Sequence, residues 1–297
     1  MEEFTRNHYE VCFEREYLKK RATEFQNFFC DIMELRYPSD FLRTVPSGSI
    51  GDLKNDGYLA SKRMLFQLYA PKAMTKSVAS KKIREDFEGA KIHWLEYFDT
   101  WVLVHGEREG LPTQVSQLLL QLKDARPPDV TWWGYAELRD VVFQLDTFGL
   151  AKLFGYMPTR ETMLHIGHQE LLPVIDFLRK NPAKQPNSPI VPVPEDKLDK
   201  NNLPVYIQGY LINGMERSEM VERFFREYWQ PTLGDELAQT FTTQYSLLKA
   251  RGLSPSEIFF ELQVFAGGNA LPTIENQAAI QTILAYFFEK CDIFERP

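Results

Sequence analysis

The chain has 297 residues, enough for two ordinary domains, and its 44% apolar and 13% aromatic content supplies a full core. A net charge of −7 argues against a protein that coats nucleic acid with its whole surface. No apolar run of ~18 residues and no leader-like start is present, so a soluble, cytoplasmic protein with no membrane association is expected. Cys12, Cys30 and Cys291 are odd in number and lack CxxC spacing, which argues against a disulfide framework or a zinc site. His165 and His168 form the one close histidine pair, without a cysteine or carboxylate at ligand spacing.

In chain order, Phe13, Tyr17, Phe25, Phe28, Phe29, Ile32, Met33 and Leu35 recur at helical spacing and predict one long helix over 8–36, ended by Tyr37-Pro38. PSGSIGD is a turn cluster. Tyr58–Ala60 and Met64–Ala70 read as strands joined by SKR, a hairpin closed by Pro71. Residues 73–98 read as a helix, TWVLVH (100–105) as a buried strand, and Thr113–Leu122 as a helix broken by Pro127-Pro128. DVTWWG is a further strand, with Trp132 and Trp133 expected in the core, and Tyr135–Leu145 a further helix. Strands separated by helices imply parallel crossovers, so the N-terminal part is expected to be an α/β domain with a mixed central sheet flanked by helices.

Residues 148–180 read as a helical bridge. Six prolines between 182 and 204 then mark an extended connector. Helices are predicted over 205–229, 233–251, 254–266 and 273–291, an all-α C-terminal domain; Ser254, Pro255 and Glu257 form a helix-start signature. The division is therefore 1–150, 151–204 and 205–297. The strongly apolar ending AIQTILAYFFEKCDIFERP must pack into its own domain or into a partner.

One stretch could carry chemistry. GDLKNDGYLASKRMLFQLYAPK places Asp52 and Asp56 before the hairpin and Gln67 inside its second strand. Phosphodiester cleavage needs a divalent cation and hard oxygen ligands. Asp56 and Gln67 would bring such oxygens to one sheet edge, with Glu24 of the first helix as the natural third acid and Glu34 as another. Gln67 and Tyr69 share a face, because side chains alternate along a strand. Residues 54–84 also hold Lys54, Lys62, Arg63, Lys72, Lys76, Lys81, Lys82 and Arg84 against Asp56 alone, +7 in 31 residues. Such a run is either a solvated face or a surface for phosphates. Asp52 and Asp56 are also ordinary turn residues beside glycines.

The order of elements and the spacing EFQNFFCDIMELRYP…GDLKNDGY…FQLYAP resemble the PD-(D/E)XK nuclease superfamily over about residues 10–146, most nearly its Mrr-type restriction endonucleases and related bacterial antiphage nuclease domains. The chain from about 155 resembles the helical C-terminal domain of effectors in ABC-type three-component, Lamassu-like defence systems, on its LAYFFEKCDIFERP ending. The resemblance implies Asp56 as the metal-binding aspartate, Gln67 as the second-strand ligand, Glu24 as the helix acid, and Mg2+ or Mn2+ as the cofactor. Tyr69 stands where the family has its lysine; Lys54 and Lys72 flank the strands and are the candidates to replace it. Lys62, Arg63, Lys76, Lys81, Lys82 and Arg84 would contact DNA.

Two functions remain open on these grounds. One is a metal-dependent nuclease effector of an antiphage complex, cutting DNA and working with an ATPase partner subunit. The other is a nuclease-fold subunit without turnover that serves as a scaffold or a nucleic-acid- or partner-binding module; homo-oligomerisation is compatible with either.

Overall fold

A computed structural model describes residues 1–45, 53–72, 76–125, 127–181, 201–268, 270–271, 273–290 and 293–294. The chain forms two compact units: Glu16–Gly155, and Met1–Arg15 together with Tyr156–Pro297. The sequence division placed residues 1–15 with the sheet; here they group with the helical unit.

The first unit is built on a five-stranded sheet in the order β1–β5 along the chain: β1 (Phe41–Arg43), β2 (Gly57–Leu59), β3 (Met64–Tyr69), β4 (Thr100–His105) and β5 (Asp129–Trp133). β1, β2 and β3 pair antiparallel; β3, β4 and β5 pair parallel. The expected mixed sheet is thus present, extended by β1, three residues too short to announce themselves. α3 (Lys76–Trp94) and α4 (Thr113–Asp124) are the crossovers between the parallel strands.

The two faces of the sheet follow the strand alternation. Phe66 points to α2 (Thr23–Arg36), where its ring lies 5.2 Å from Phe29 and 5.0 Å from Trp133. Leu65, Trp101, Leu103 and Val130 point to the other face and pack with Ala79, Ile83 and Phe87 of α3 and Leu118, Leu119 and Leu122 of α4. β4 is buried along nearly its whole length, as a parallel strand covered on both faces should be. Trp132 is the exception to the expected core: it is 36% exposed.

The single helix expected over 8–36 is two helices, α1 (Glu3–Lys19) and α2. Arg21 Nη1 donates to the carbonyls of Tyr17 and Lys20, satisfying the last turn of α1. Ala22 then leaves helical geometry, at φ 49° and ψ −125°, and its N–H bonds Ala70 O at the end of β3. The apolar spacing runs through this break, so periodicity alone does not reveal it. α5 (Tyr135–Val142) and α6 (Thr147–Phe154) close the unit.

In the second unit, α7 (Arg160–His165), α8 (His168–Lys180), α9 (Val205–Met215), α10 (Ser218–Glu227), α11 (Leu233–Ala250), α12 (Pro255–Phe265) and α13 (Ile274–Glu289) succeed one another. The helix expected over 205–229 is interrupted between α9 and α10. α13 is buried on every side, from Ala278 to Phe288 with few exceptions. Phe287 stacks 4.7 Å from Phe241 of α11. Gln281 Nε2 donates to Tyr210 O at 2.8 Å, and Gly214 of α9 lies where a Cβ would meet Gln281 O at 2.7 Å. Of the apolar ending, Ile283, Leu284, Phe287, Phe288, Ile293 and Phe294 are therefore core of their own unit. The proline-rich stretch 182–200 lies outside the described residues.

A non-glycine residue at the φ,ψ of Ala22 carries strain on the order of 1 kcal/mol. Ala22→Gly should raise the unfolding free energy by about that amount, and Ala22→Val should lower it, in urea titrations.

Candidate functional site

Asp56 is 5% exposed and sits one residue before β2, opposite Gln67 in the continued register of Gly57 with Phe66. Its backbone N–H bonds Phe66 O. Its carboxylate is held from two sides. Oδ1 accepts from Gln26 Nε2 at 2.6 Å; Oδ2 accepts from Gln67 Nε2 at 2.8 Å and from the Leu68 backbone N–H at 2.7 Å. Cys30 Sγ donates to the Asp56 carbonyl at 3.7 Å, and burial pushes that thiol up to about 12. Gln26 and Cys30 stand one turn apart on α2, so one face of the helix is given to Asp56. Asn55 Oδ1 accepts from Gly57 N at 2.9 Å and fixes the turn into β2.

Glu24 is not part of this constellation. It lies two positions from Gln26 on α2, is exposed, and lines a separate cleft of about 1000 Å³ with Phe28, Asp31 and Glu34 of α2 and Phe148 and Lys152 of α6. Glu34 is engaged there by Arg43 at 3.6 Å. α2 thus offers Asp56 an amide where an acid was expected.

Gln67 is 6% exposed; with its amide nitrogen on Asp56, its Oε1 is buried without a hydrogen-bond partner among the described residues. Tyr69, two residues on, packs on the α3–α4 core, and burial together with Asp86 raises its phenol above the ordinary range. Lys54, a candidate to replace the missing lysine, pairs with Asp86. Its ammonium lies 3.0 Å from Asp86 Oδ1, and Lys82 Nζ reaches the same oxygen at 2.6 Å. Asp86 is 1% exposed and had no place in the sequence reading. It resembles the partner of an ordinary i,i+4 surface pair with Lys82, and only the fold brings Lys54 to it. Lys72 is exposed at the end of β3.

The basic run is partly cancelled where it lies. Arg63 bonds Asp99 at 2.9 Å and Glu96 O at 2.8 Å; Lys81 stands 3.8 Å from Glu85. Lys62 and Arg84 are exposed. Asp52 and the Lys76 side chain lie outside the described residues.

Mg2+ takes hard oxygen ligands in near-octahedral geometry. Both Asp56 oxygens already accept N–H bonds, and Glu24 and Glu34 line a different cleft. Among the described residues no group of three or more His, Cys, Asp or Glu side chains could hold an ion. Among the described residues, the groups on the Asp56 carboxylate are two side-chain amides and a backbone N–H, the surroundings of a buried carboxylate that ties α2 to the hairpin.

Sequence reasoning also passed over His105 at the end of β4. Its carbonyl accepts from Tyr17 Oη at 2.7 Å, and its Nδ1 accepts from Glu107 N at 3.3 Å. Burial lowers its imidazole to about 4, against the opposing pull of Glu137.

Residues 169–295 match the family model described as C-terminal domain 10 of the ABC-three component systems, which supports the resemblance expected for the C-terminal segment. No curated protein and no solved structure matches the chain. No helix among the described residues is long and apolar enough to cross a membrane.

Asp56→Ala leaves three amide donors without their acceptor, and should cost roughly 3 kcal/mol or more of stability in chemical denaturation. Gln67→Leu removes a donor but also the unpartnered oxygen, so it should fall within about 1 kcal/mol of the parent. For His105 the unfolded chain binds the proton first as pH falls. Its contribution to stability is complete above 6.5 and declines between 6.5 and about 4. Histidine NMR signals should accordingly show His105 still neutral at about pH 5.

Proposed function

We propose that the chain is a component of an ABC-three-component defence system, in which the helical unit docks onto the partner subunits and the sheet unit acts as a scaffold or binding module without metal-dependent cleavage. The match over residues 169–295 supports the first part. One observation carries the second: the Asp56 carboxylate already accepts N–H bonds on both oxygens, from Gln26, Gln67 and Leu68, with Tyr69 where a lysine would be required. A tyrosine brings no positive charge to a phosphorane.

Docking has a physical candidate within the matched segment. Trp229 is 74% exposed, and Arg179 stands over its ring with 6.0 Å between guanidinium carbon and centroid. Tryptophan and arginine are the residue types most often found where interface energy is concentrated. The apolar ending is unsuited to that role, because α13 is occupied as core.

The DNA-cutting reading keeps one supporting observation, the buried Oε1 of Gln67 beside Asp56, which has no partner among the described residues. The two readings separate in one experiment. The chain, alone and together with its ATPase partner, is incubated with supercoiled and linear plasmid in Mg2+ or Mn2+, beside a Gln67→Leu control. No cutting is expected in either setting. Metal-dependent cutting that Gln67→Leu abolishes while remaining folded would replace the scaffold reading with the nuclease.

The docking half is tested apart from this. Trp229→Ala and Arg179→Ala should each weaken co-purification with the partner at least tenfold, with unchanged circular dichroism. Full co-purification by the folded double variant would remove Trp229 and Arg179 from the interface.

A further inference from the structure

At the carboxyl end of β4 a pocket of about 200 Å³ opens beside α4. In open α/β sheets, ligands are commonly received outside the carboxyl ends of parallel strands. The walls are His105 of β4, Trp132 of β5, Leu111, and Ser116, Leu119 and Leu120 of α4. None of them belongs to the Asp56 network or to the docking surface.

The size and lining of the pocket restrict what fits. An apolar cavity of about 150 Å³ accepts a benzene-sized ring, so this one has room for a fused bicycle. Leu111, Leu119 and Leu120 favour a flat apolar body, and Trp132 offers a partly exposed aromatic surface at the rim. Lys123 Nζ stands 5.7 Å from the Trp132 ring centroid, a cation available to an anionic substituent.

The polar group inside is His105. With Nδ1 accepting from Glu107 N, the proton of the neutral ring sits on Nε2, and among the described residues no group accepts it. Gly134 holds the ring in place by having no side chain: a Cβ there would lie 2.8 Å from Cε1 and 2.9 Å from Nε2. Glu137 in turn fixes Gly134, its Oε2 accepting the Gly134 N–H at 2.8 Å. The imidazole is thus buried, tautomerically defined and seated by its neighbours.

We propose that this pocket binds a planar, bicyclic heteroaromatic small molecule whose ring-nitrogen acceptor meets His105 Nε2–H and whose ring packs against Trp132. Recognition rests on one hydrogen bond inside an apolar enclosure, the pattern of sites that hold small ligands with few but fixed polar contacts. This inference is independent of the scaffold and docking readings.

Benzimidazole and indole test it directly, since they share a shape and differ by one ring-nitrogen acceptor. Titrated into the full chain and followed by calorimetry or ligand-detected NMR, benzimidazole should bind saturably and indole at least tenfold more weakly. Trp132→Ala, at the solvent-facing rim, and Gly134→Ala, which displaces the imidazole, should each weaken benzimidazole at least fivefold. If Gly134→Ala fails to fold, the probe pair and Trp132→Ala still decide. No saturable benzimidazole binding at millimolar concentration, equal affinity for both probes, or unchanged affinity in a folded Trp132→Ala protein would each overturn the proposal.

Discussion

The sheet unit depends on a buried carboxylate held from two sides. A carboxylate offers about four lone-pair directions, and Asp56 fills three of them with N–H donors from α2, from the β3 side chain and from the β3 backbone. This joins a helix to a hairpin across a point where the antiparallel ladder ends. The same bonds bear on how the carboxylate could take an ion. A cation would have to strip donors that are buried or half-buried and leave them without acceptors, at roughly 1 to 3 kcal/mol each. Asp before the first strand and Gln in the second is the spacing of a metal site, and equally the spacing of a cross-strand hydrogen bond. What separates the two is whether the helix opposite brings an acid or an amide, and here it brings Gln26.

That distinction marks how far the sequence could be read. β3, β4 and β5 with their helices were legible, because short β-branched and aromatic runs bounded by Pro and Gly favour buried strands. The Asp56–Gln67 pairing was legible from the hairpin register. The choice of Glu24 was made on chemistry, an acid being wanted, and helical phase decides against it: residues 26 and 30 share a face, whereas 24 and 26 stand ~200° apart. The break at Ala22 was not legible, since its cause is a bond to Ala70, 48 residues away. Asp86 was hidden for a similar reason. Its burial depends on Lys54, which comes from a turn 32 residues earlier in the chain.

The helical unit shows the complementary case. A helix apolar on every side, such as α13, reads equally well as buried core or as a docking surface, and periodicity gives no preference between them. The answer comes from small residues on its neighbours. Gly214 lets α9 approach until its Cα faces the α13 backbone, and Gln281 then reaches Tyr210 O across the contact. Ala278, Ala279 and Ala285 on α13 are the corresponding small residues on the other side, all fully buried. Close backbone approach of this kind consumes the helix as core and leaves the surface of the unit to other residues.

Charge has to be counted in space for the same reason that faces do. The +7 of residues 54–84 is a linear count, and it stops short of the acids that answer it. Glu85, Asp86 and Asp99 lie just beyond that window, yet in the fold they hold Lys81, Lys54 with Lys82, and Arg63. Each ion pair reduces the field seen from outside, because opposite charges a few ångströms apart nearly cancel at a Debye length of about 8 Å. Lys62, Lys72 and Arg84 are exposed cations of this run. Exposed aromatic surface is a separate resource from charge, and Trp132 and Trp229 supply it.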